Sequence, residues 1–255
     1  MKEILSTKNT MVKEFKKLSK KKHREEQQQY IIEGFHLIEE AAKANAEIKW
    51  ILFNQRGKRE WSTWLAEQPD ERLIYVSDEV LASLSELPTP QGVIAIVGMP
   101  DYEKNMQFSG GWLLLDNVQD PGNVGTMIRT ADAAGFSGVV IGEGTADVYS
   151  TKVLRAMQGS NYHLPIIQAE LSPIVNRFIT ANVPIYGTEL NEEAVSYNNI
   201  PKTEDFGLIM GNEGQGVSVE LLKKTTKNIY IPIKGQAESL NVAVAAGILM
   251  YYLYN

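Results

Sequence analysis

The sequence predicts an α/β protein of two domains, the second built on a mostly parallel sheet. Over the first hundred residues, apolar runs with strand character alternate with amphipathic runs of helical periodicity. After that, the repeated unit is a buried strand, a glycine-bearing loop and a helix, which is typical of a parallel sheet covered on both faces. A chain of 255 residues can hold two ordinary domains with well-buried cores.

Residues 1–98 are predicted to form a small α/β sandwich. Its predicted strands are rich in β-branched and aromatic residues and comprise Tyr30–Gly34, Ile48–Asn54, Leu73–Ser77 and Gly92–Gly98. Its predicted helices are Phe35–Ala46, Arg59–Glu67 and Asp78–Leu84, with Asp78 as the cap of the last. The polar, proline-containing stretch 99–108 breaks this alternation, which indicates a linker.

The second domain, residues 109–255, begins with Trp112–Asp116, a continuous apolar run suited to a strand buried on both faces. In the helix that follows, Asp120 suits the N-cap, Pro121 the first helical position and Gly135 the residue after the C-cap. The apolar residues at helical spacing, which should form its buried stripe, are Val124, Met127, Ile128 and Ala131. Arg129 lies about 140° from Val124 around the helix axis, so its cation should project away from the core.

The remaining elements converge on glycine-bearing strand ends. Further strands are predicted at Gly138–Gly142 and Val183–Gly187, the latter ending in Thr188, and a helix is predicted at Lys152–Gly159. Two more apolar runs end in the loops of Gly207–Gly216 and Ile229–Gly235. Such loops at the carboxyl ends of parallel strands let backbone groups approach a small molecule closely. The last helix, Val242–Leu253, is apolar almost all round, so we expect it to be buried on more than one side.

Composition excludes several classes of protein and leaves one partner open. Cysteine is absent, which rules out disulfides, thiolate metal sites and a cysteine nucleophile. We find neither an apolar run of membrane-spanning length nor a signal peptide, so we expect a cytoplasmic protein without a membrane partner. The net charge is −6, yet residues 1–24 carry nine Lys/Arg against two Glu. This cluster is either a phosphate-contacting arm or a solvated helix face, and its members are Lys13, Lys16, Lys17, Lys20, Lys21, Lys22 and Arg24.

The loops do not match the common sequence motifs for dinucleotide binding, phosphate binding, hydrolysis or zinc binding. A dinucleotide fingerprint starting at Gly142 has Asp147 where its third glycine belongs. The spacing of Gly211–Ser218 resembles a phosphate-binding loop, but Val217 occupies the lysine position. The sequence contains neither Gly-x-Ser-x-Gly nor His-Glu-x-x-His, and its three histidines are scattered, so we predict no metal site.

Three motifs resemble those of the SpoU family of RNA ribose 2′-O-methyltransferases. In chain order they are Asn123 with Arg129, then Gly211–Gly214, then Ile231–Pro232 with Ser239–Asn241. That family belongs to the SPOUT class, so the resemblance implies a trefoil knot around S-adenosylmethionine in the second domain. The first domain resembles the family's ribosomal-protein-like substrate-binding domain in Ile32–Gly34 and Thr89–Gly92.

The resemblance also implies the site residues. The cofactor would be bound largely through backbone groups around Thr188, Gly211, Ile231 and Leu240. The catalytic candidates are Asn123, Arg129, Glu213, Ser239 and Asn241.

Individual roles follow from the chemistry of these side chains. Since arginine is a poor base, we predict that Arg129 grips a phosphate and polarises the ribose hydroxyl. Asn123 would orient Arg129 or the ribose, and Glu213 could pair with Arg129. Ser239 and Asn241 open the last helix, where they would cap it as well as touch substrate.

The expected partners are RNA and a second copy of the chain. Ribosomal RNA is favoured over transfer RNA because the first domain resembles those of family members that act on it. The resemblance and the apolar last helix imply a homodimer through the C-terminal domains. Two alternatives stay open, which are an inactive RNA-binding protein with the SPOUT fold and a SPOUT enzyme that methylates a base in tRNA or rRNA.

Overall fold

A computed structural model of the chain describes residues 1–102 and 108–254. The chain divides into two compact units, of which the first is Met1–Asp101 with Tyr149–Tyr162 and the second is Tyr102–Val148 with His163–Asn255. Residues 103–107 of the predicted linker lie outside the described residues. The segment 149–162, which the sequence analysis assigns to the second domain, clusters with the first unit.

The first unit is built on a mixed five-stranded sheet. Its elements before the linker are β1 (Lys2–Ile4), α1 (Thr10–Lys17), α2 (Lys21–Gln27), β2 (Gln29–Glu33), α3 (Phe35–Lys43), β3 (Ile48–Phe53), α4 (Gln55–Glu60), α5 (Ser62–Ala66), β4 (Leu73–Val76), α6 (Asp78–Leu84) and β5 (Val93–Gly98). The strand order is β1-β4-β3-β5-β2, in which β5 is antiparallel to both neighbours and the other pairs are parallel. The four predicted strands are confirmed, and β1 is an addition.

The basic N-terminal stretch is part of this fold, not a free arm. Val12 and Phe15 of α1, with Leu18, are buried in the core beside the sheet residues Leu52 and Ile74. The helix begins at an Asn9 cap, whose side chain accepts a hydrogen bond from the Met11 amide at 2.9 Å. Apolar residues at positions 12, 15 and 18 give this short segment the periodicity of a buried helix face, despite the lysines between them.

Burial separates Arg24 from the other members of the basic cluster. The lysines at positions 13, 16, 17, 20, 21 and 22 are exposed. Arg24 is only 5% exposed, and its guanidinium donates to the Leu18 carbonyl at 2.7 Å. Arg24 is therefore not part of the exposed basic surface, to which the sequence analysis assigned it.

Two predicted helices of the first unit need correction. The predicted helix Arg59–Glu67 is two short helices, α4 and α5, which meet at Trp61. The helix α6 covers the predicted residues, but its cap is Ser77, which accepts from the Val80 amide at 3.2 Å, and Asp78 is the first helical residue. Serine and aspartate are both good caps, so the sequence alone did not separate two adjacent candidates.

The second unit is built on a fully parallel sheet. The elements after the linker are β6 (Gly111–Leu115), α7 (Pro121–Ala133), β7 (Gly138–Ile141), α8 (Thr151–Met157), β8 (Ile166–Gln168), α9 (Leu171–Thr180), β9 (Ile185–Thr188), β10 (Val195–Ser196), β11 (Phe206–Met210), α10 (Val219–Leu222), β12 (Lys227–Tyr230) and α11 (Val242–Leu253). Of these, α8 belongs to the first unit. The seven strands lie in the order β10-β12-β9-β11-β6-β7-β8, and all pairs are parallel.

This strand order places the functional loops side by side. The adjacent strands β12, β9, β11 and β6 point the same way, so the loops that follow them emerge at one edge of the sheet. Their last residues are Tyr230, Thr188, Met210 and Leu115. The mostly parallel α/β architecture expected from the sequence is confirmed.

Helix α7 follows the sequence prediction closely. The Asp120 side chain accepts from the Asn123 amide at 2.8 Å, Pro121 is the first helical residue, and Gly135 adopts a positive φ of 77° after the C-cap. All four residues of the predicted stripe are fully buried, and Arg129 is exposed.

Helix α11 has the predicted bounds but is not buried all round. Ala243, Ala246 and Leu249 are buried, whereas Val244, Ile248 and Tyr251 are 53%, 37% and 60% exposed. These three residues are spaced four and three apart, so they form one apolar stripe on the helix surface. Within residues 1–102 and 108–254, no helix combines the length and apolar character that a membrane span requires.

Gly57 of α4 is required by a close approach between two loops. A Cβ at this position would collide with the carbonyl oxygen of Gly92 and lie 3.2 Å from Cβ of Phe53. We expect Gly57→Ala to lower the free energy of unfolding of the chain by about 1–3 kcal/mol. The added methyl group meets the backbone of Gly92, which cannot move aside as a flexible side chain would. Urea denaturation measures the change. Gly235→Ala is the matched control, since a Cβ there meets no atom of the described residues within 4 Å; equal stability of both variants would contradict the prediction.

Candidate active site at the strand ends

A cavity of about 280 Å³ lies at the carboxyl edge of the parallel sheet. All four cofactor candidates from the sequence, Thr188, Gly211, Ile231 and Leu240, line it. They come from three different loops, after β9, β11 and β12, and are up to 52 residues apart in the chain. Parallel strand order is what brings these loops together.

The lining suits a ligand with an apolar face and a polar edge. Its walls are aliphatic side chains, among which are Leu190, Ile229, Ile233, Val242 and Leu249. The Thr188 hydroxyl lies 3.0 Å from the Ile209 carbonyl, to which it donates, so this side chain braces the strand end. Polar residues line the cavity as well, among which are Glu189, Asn212, Glu238 and Ser239. This combination fits an adenosine, which needs apolar contact with the purine faces and hydrogen bonds at the purine edge.

The loop after β11 is held closed by Asn212. Its side-chain oxygen accepts from the amides of Gly214 and Gln215 at 2.9 and 3.1 Å, and its side-chain nitrogen donates to the Asn117 carbonyl at 2.9 Å. The backbone of Asn212 pairs with that of Gly216 in both directions. Asn212 also lines the cavity, so one residue joins the wall of the cavity to the loop that carries Glu213.

The Glu213 carboxylate is fixed at the start of α7. One oxygen accepts from the Asp120 amide and the Asn123 side chain, both at 3.1 Å, and the other accepts from the Gln119 amide at 3.2 Å. Desolvation by burial raises the pKa of Glu213, but the hydrogen bonds from Asn123 and the backbone amides outweigh it, so the pKa is lowered. The positive end of the helix dipole also favours this negative charge.

Asn123 and Asn241 continue the network to the last helix. The Asn241 side-chain nitrogen donates to the Asn123 oxygen at 2.9 Å. The Asn241 oxygen caps α11, accepting from the Ala243 and Val244 amides at 2.9 and 3.3 Å. Glu213, Asn123 and Asn241 therefore form one chain of hydrogen bonds that joins the loop after β11 to the starts of α7 and α11. Ser239 is not the cap; it lines the cavity beside Leu240.

Arg129 is not joined to this network within one chain. It lies on the exposed face of α7 and is not among the residues that line the cavity. Among the described residues, no hydrogen bond or ion pair joins it to Glu213. The expected pairing of Glu213 with Arg129 is therefore wrong, because the backbone amides and Asn123 occupy the carboxylate.

Sequence reasoning missed two of the contacts that build the site. Besides Asn212, the Asp116 carboxylate accepts from the Ser218 amide at 2.7 Å and so ties the end of β6 to the start of α10. Asn212 lies inside the Gly211–Gly214 motif but received no role, and the only sequence signal for Asp116 was its position directly after a buried strand. Such residues bind backbone of another loop, and that partner is distant in the sequence.

Family comparisons agree with the geometry. The model of the SpoU rRNA Methylase family matches residues 112–251, and the model of the MRM3-like substrate binding domain matches residues 9–95. The chain is 46% identical over 253 residues to the 23S rRNA (guanosine(2553)-2′-O)-methyltransferase RlmP of Bacillus subtilis (strain 168), and the match covers 99% of each chain.

Solved structures give the same result. An AdoMet-bound rRNA methyltransferase from Sinorhizobium meliloti superposes with a TM-score of 0.86 at 33% identity, covering 99% of this chain and 97% of that one. The SpoU methyltransferase AviRb from Streptomyces viridochromogenes, in complex with AdoMet, has a TM-score of 0.86 at 27% identity, covering 96% of this chain and 97% of that one.

Removing the amide of Asn123 should change the titration of Glu213. In Asn123→Ala the carboxylate loses one of its hydrogen bonds, so we expect the pKa of Glu213 to rise from its lowered position toward the ordinary value for glutamate. In the native chain, a lowered pKa means that this contribution to stability is present at neutral pH and is lost as the pH falls through the folded-state pKa. NMR titration of the carboxyl carbon measures both chains. Asn191→Ala, which removes an amide beside Glu189 instead, should leave Glu213 unchanged; an unaltered Glu213 titration in Asn123→Ala would contradict the assignment.

Proposed function

This chain belongs to the SpoU rRNA Methylase family, and from that membership we propose how its strand-end site works on RNA. The chain is an S-adenosylmethionine-dependent methyltransferase of RNA ribose 2′-hydroxyls. We propose that its substrate is a guanosine of 23S ribosomal RNA, as named for the Bacillus subtilis relative, and that it acts in the cytoplasm. The trefoil knot that the family implies is part of the same proposal.

The observation that carries the proposal is the meeting of three loops around one cavity. S-adenosylmethionine supplies the methyl group from a sulfonium centre that loses its charge on transfer. In this chain, the backbone around Thr188, Gly211, Ile231 and Leu240 would bind the adenosine, with the aliphatic walls against the purine. Because the donor charge disappears during transfer, positioning the hydroxyl matters more than stabilising a new anion.

Arg129 is proposed as the residue that positions the ribose. A guanidinium is not deprotonated in proteins, so the easier role is to grip a neighbouring phosphate and polarise the 2′-hydroxyl. Its exposure on α7 leaves it available to RNA. Ser239, on the wall of the cavity, is proposed to contact the substrate beside the cofactor.

Glu213, Asn123 and Asn241 are proposed to hold the site in shape. Their hydrogen bonds fix the first turn of α7, the loop after β11 and the first turn of α11. The Glu213 carboxylate accepts hydrogen bonds from backbone amides at the start of α7, the helix that carries Arg129. We propose that this arrangement orients Arg129 indirectly, in place of the ion pair expected from the sequence.

The exposed lysines of α1 and α2 are proposed to contact RNA phosphates. Three of the six are ion-paired along the helices, Lys17 with Glu14 at 2.8 Å, and Lys21 and Lys22 with glutamates at 3.7 and 3.8 Å. For Lys13, Lys16 and Lys20 no such pair occurs among the described residues, which leaves their charge for a polyanion.

A homodimer through the second unit is proposed from the surface of α11. The stripe of Val244, Ile248 and Tyr251 is a contiguous apolar feature on a helix that is otherwise packed into the domain. Burying it against the same stripe of a second copy would satisfy a two-fold contact.

The reaction is tested with a transcript of 23S rRNA and S-adenosylmethionine labelled in the methyl group. We expect label in alkali-resistant dinucleotides, because a methylated 2′-oxygen cannot attack the neighbouring phosphate. Label in ordinary mononucleotides would mean base methylation. Cofactor binding by calorimetry without any transfer would mean an RNA-binding protein that has lost the activity.

Arg129→Ala should lower kcat/KM for this transfer by about 100-fold or more, since it removes a charged group placed at the reacting hydroxyl. Calorimetry should give an unchanged Kd for S-adenosylmethionine, because Arg129 does not line the cavity. Arg72→Ala, on the first unit, removes an equal charge and should leave turnover unaffected. Near-normal turnover in Arg129→Ala would refute the proposed role.

Ile248→Lys tests the dimer. A buried, unpaired ammonium opposes association, so we expect the variant to be a monomer by light scattering at micromolar concentration, where the native chain is a dimer. Val219→Lys is the control, because Val219 is an exposed valine (64%) outside α11. A monomeric native chain would contradict the proposed homodimer.

A further inference from the structure

The first unit has a surface that combines aromatic rings with cations and that contributes no residue to the lining of the strand-end cavity. We call it the aromatic-basic edge, and its residues are Phe35, Arg56, Lys58, Arg59, Trp61 and Trp64. It lies where β2 and β3 end and where β5, which runs antiparallel to both, begins. The α1 and α2 lysines belong to other elements of the same unit.

Glycines hold the loops of this edge close together. The amides of Gly34 and Asn54 donate to Val93 and Gly92 carbonyls, each at 3.2 Å. A Cβ at Gly34 would collide with the side-chain oxygen of Gln91, and Gly34 has a φ of 98° that favours glycine. The Asn54 side chain, 8% exposed, accepts from the Gly57 amide at 3.0 Å and caps α4. The edge is therefore a fixed platform, which reduces the conformational entropy that the protein loses when a ligand binds.

A buried carboxylate also holds these loops together. Glu33, 6% exposed, accepts from the Ser85 hydroxyl at 2.8 and 2.7 Å and from the Gln91 amide at 3.2 Å. The two segments that resemble the family's substrate-binding domain, 32–34 and 89–92, thus meet through Glu33 and Gly34. Their structural role is to shape this edge.

Three half-buried rings form the aromatic part of the edge. Phe35 and Trp61 are stacked, with ring centroids 3.7 Å apart and an angle of 3° between their planes. Trp64 meets Phe35 edge to face, at 5.3 Å and 87°. A nucleic-acid base can stack on partly exposed planar rings that are held in this way, since every base has a face that stacks on an aromatic ring.

The cations lie on α4, next to these rings in sequence and space. Arg56, Lys58 and Arg59 are exposed and are opposed on that helix by Glu60 alone, which lies 3.0 Å from Arg56 and 3.6 Å from Arg59. Lys58 has no ion pair among the described residues. The remaining positive charge is suited to phosphates.

We propose that the aromatic-basic edge binds unpaired nucleotides of the RNA substrate, with a base stacked on the aromatic rings and the neighbouring phosphates on Lys58 and Arg59. The inference rests on the proposed function, because it assigns part of RNA recognition to this edge. Unpaired nucleotides are the ligand that uses both features, since bases within a duplex are already stacked on each other.

The experiment measures RNA affinity of the full chain by fluorescence anisotropy, using the 23S rRNA transcript at several salt concentrations. Lys58→Gln with Arg59→Gln should weaken binding and lower the slope of log K against log salt by about 1.4, the value for two lost single-strand contacts. Lys202→Gln with Lys223→Gln removes the same charge from exposed sites of the second unit and should leave the slope unchanged.

Trp64 tests stacking separately from charge. Trp64→Leu should weaken binding about fivefold or more, whereas Trp64→Phe, which keeps an aromatic face, should stay close to the native affinity. Thermal unfolding shows whether each variant is folded. If Trp64→Leu is unfolded, the salt dependence of the variant with Lys58→Gln and Arg59→Gln and the affinity of Trp64→Phe still test the inference.

The outcomes separate this inference from the proposed function. Native binding and methylation with unchanged affinity in both the charge pair and Trp64→Leu would overturn the inference alone, even if the edge proved to bind a protein. Failure of the native chain to methylate the transcript would overturn the proposed function instead. Equal losses in the charge pair and its second-unit control would show non-specific charge attraction and would also overturn the inference.

Discussion

One side chain, the Glu213 carboxylate, binds the backbone ahead of α7 and so organises the proposed methyl-transfer site. Glu213 accepts from two amides before α7 and from Asn123, and Asn123 accepts from Asn241, which caps α11. Hydrogen bonds to a charged group are stronger than neutral ones, and those here use amides that the helix itself cannot satisfy. Three segments are thereby held in one arrangement, and the outermost two, at Gln119 and Asn241, are more than a hundred residues apart in the sequence.

That arrangement divides the strand-end edge into two chemical parts. The cavity has aliphatic walls and polar lining residues such as Asn212 and Ser239, which suit an adenosine-bearing methyl donor. The neighbouring network is made of amide and carboxylate side chains, and Arg129 lies further along α7 on the exposed face. In the proposed function, the donor and the ribose are bound by separate sets of residues, which positions the two reactants relative to each other.

RNA recognition places different demands on the first unit. Phosphate contacts need exposed cations, which α1 and α2 provide, and contacts to unpaired bases need fixed flat surfaces. The aromatic-basic edge meets the second demand because glycines at positions 34, 57 and 92 allow backbone loops to touch. A charge count of the sequence finds the first feature, since nine cations lie within 24 residues, but it does not find the second, which spreads over three helices.

Local structure and most of the residues that make up the site could be predicted from the amino-acid sequence alone. Apolar periodicity and capping residues were sufficient to predict α7, α11 and most strands, because those signals act within a few residues. The motifs also contain Gly211, Ile231 and Leu240, which line the cavity, and the resemblance named Thr188, which lines it too. Tertiary structure decided which polar groups pair, since partners such as Glu213 and Gln119 are distant in the chain. It likewise decided that Arg24 is buried and that α11 keeps an exposed stripe, because burial depends on what packs against a helix and not on the helix alone.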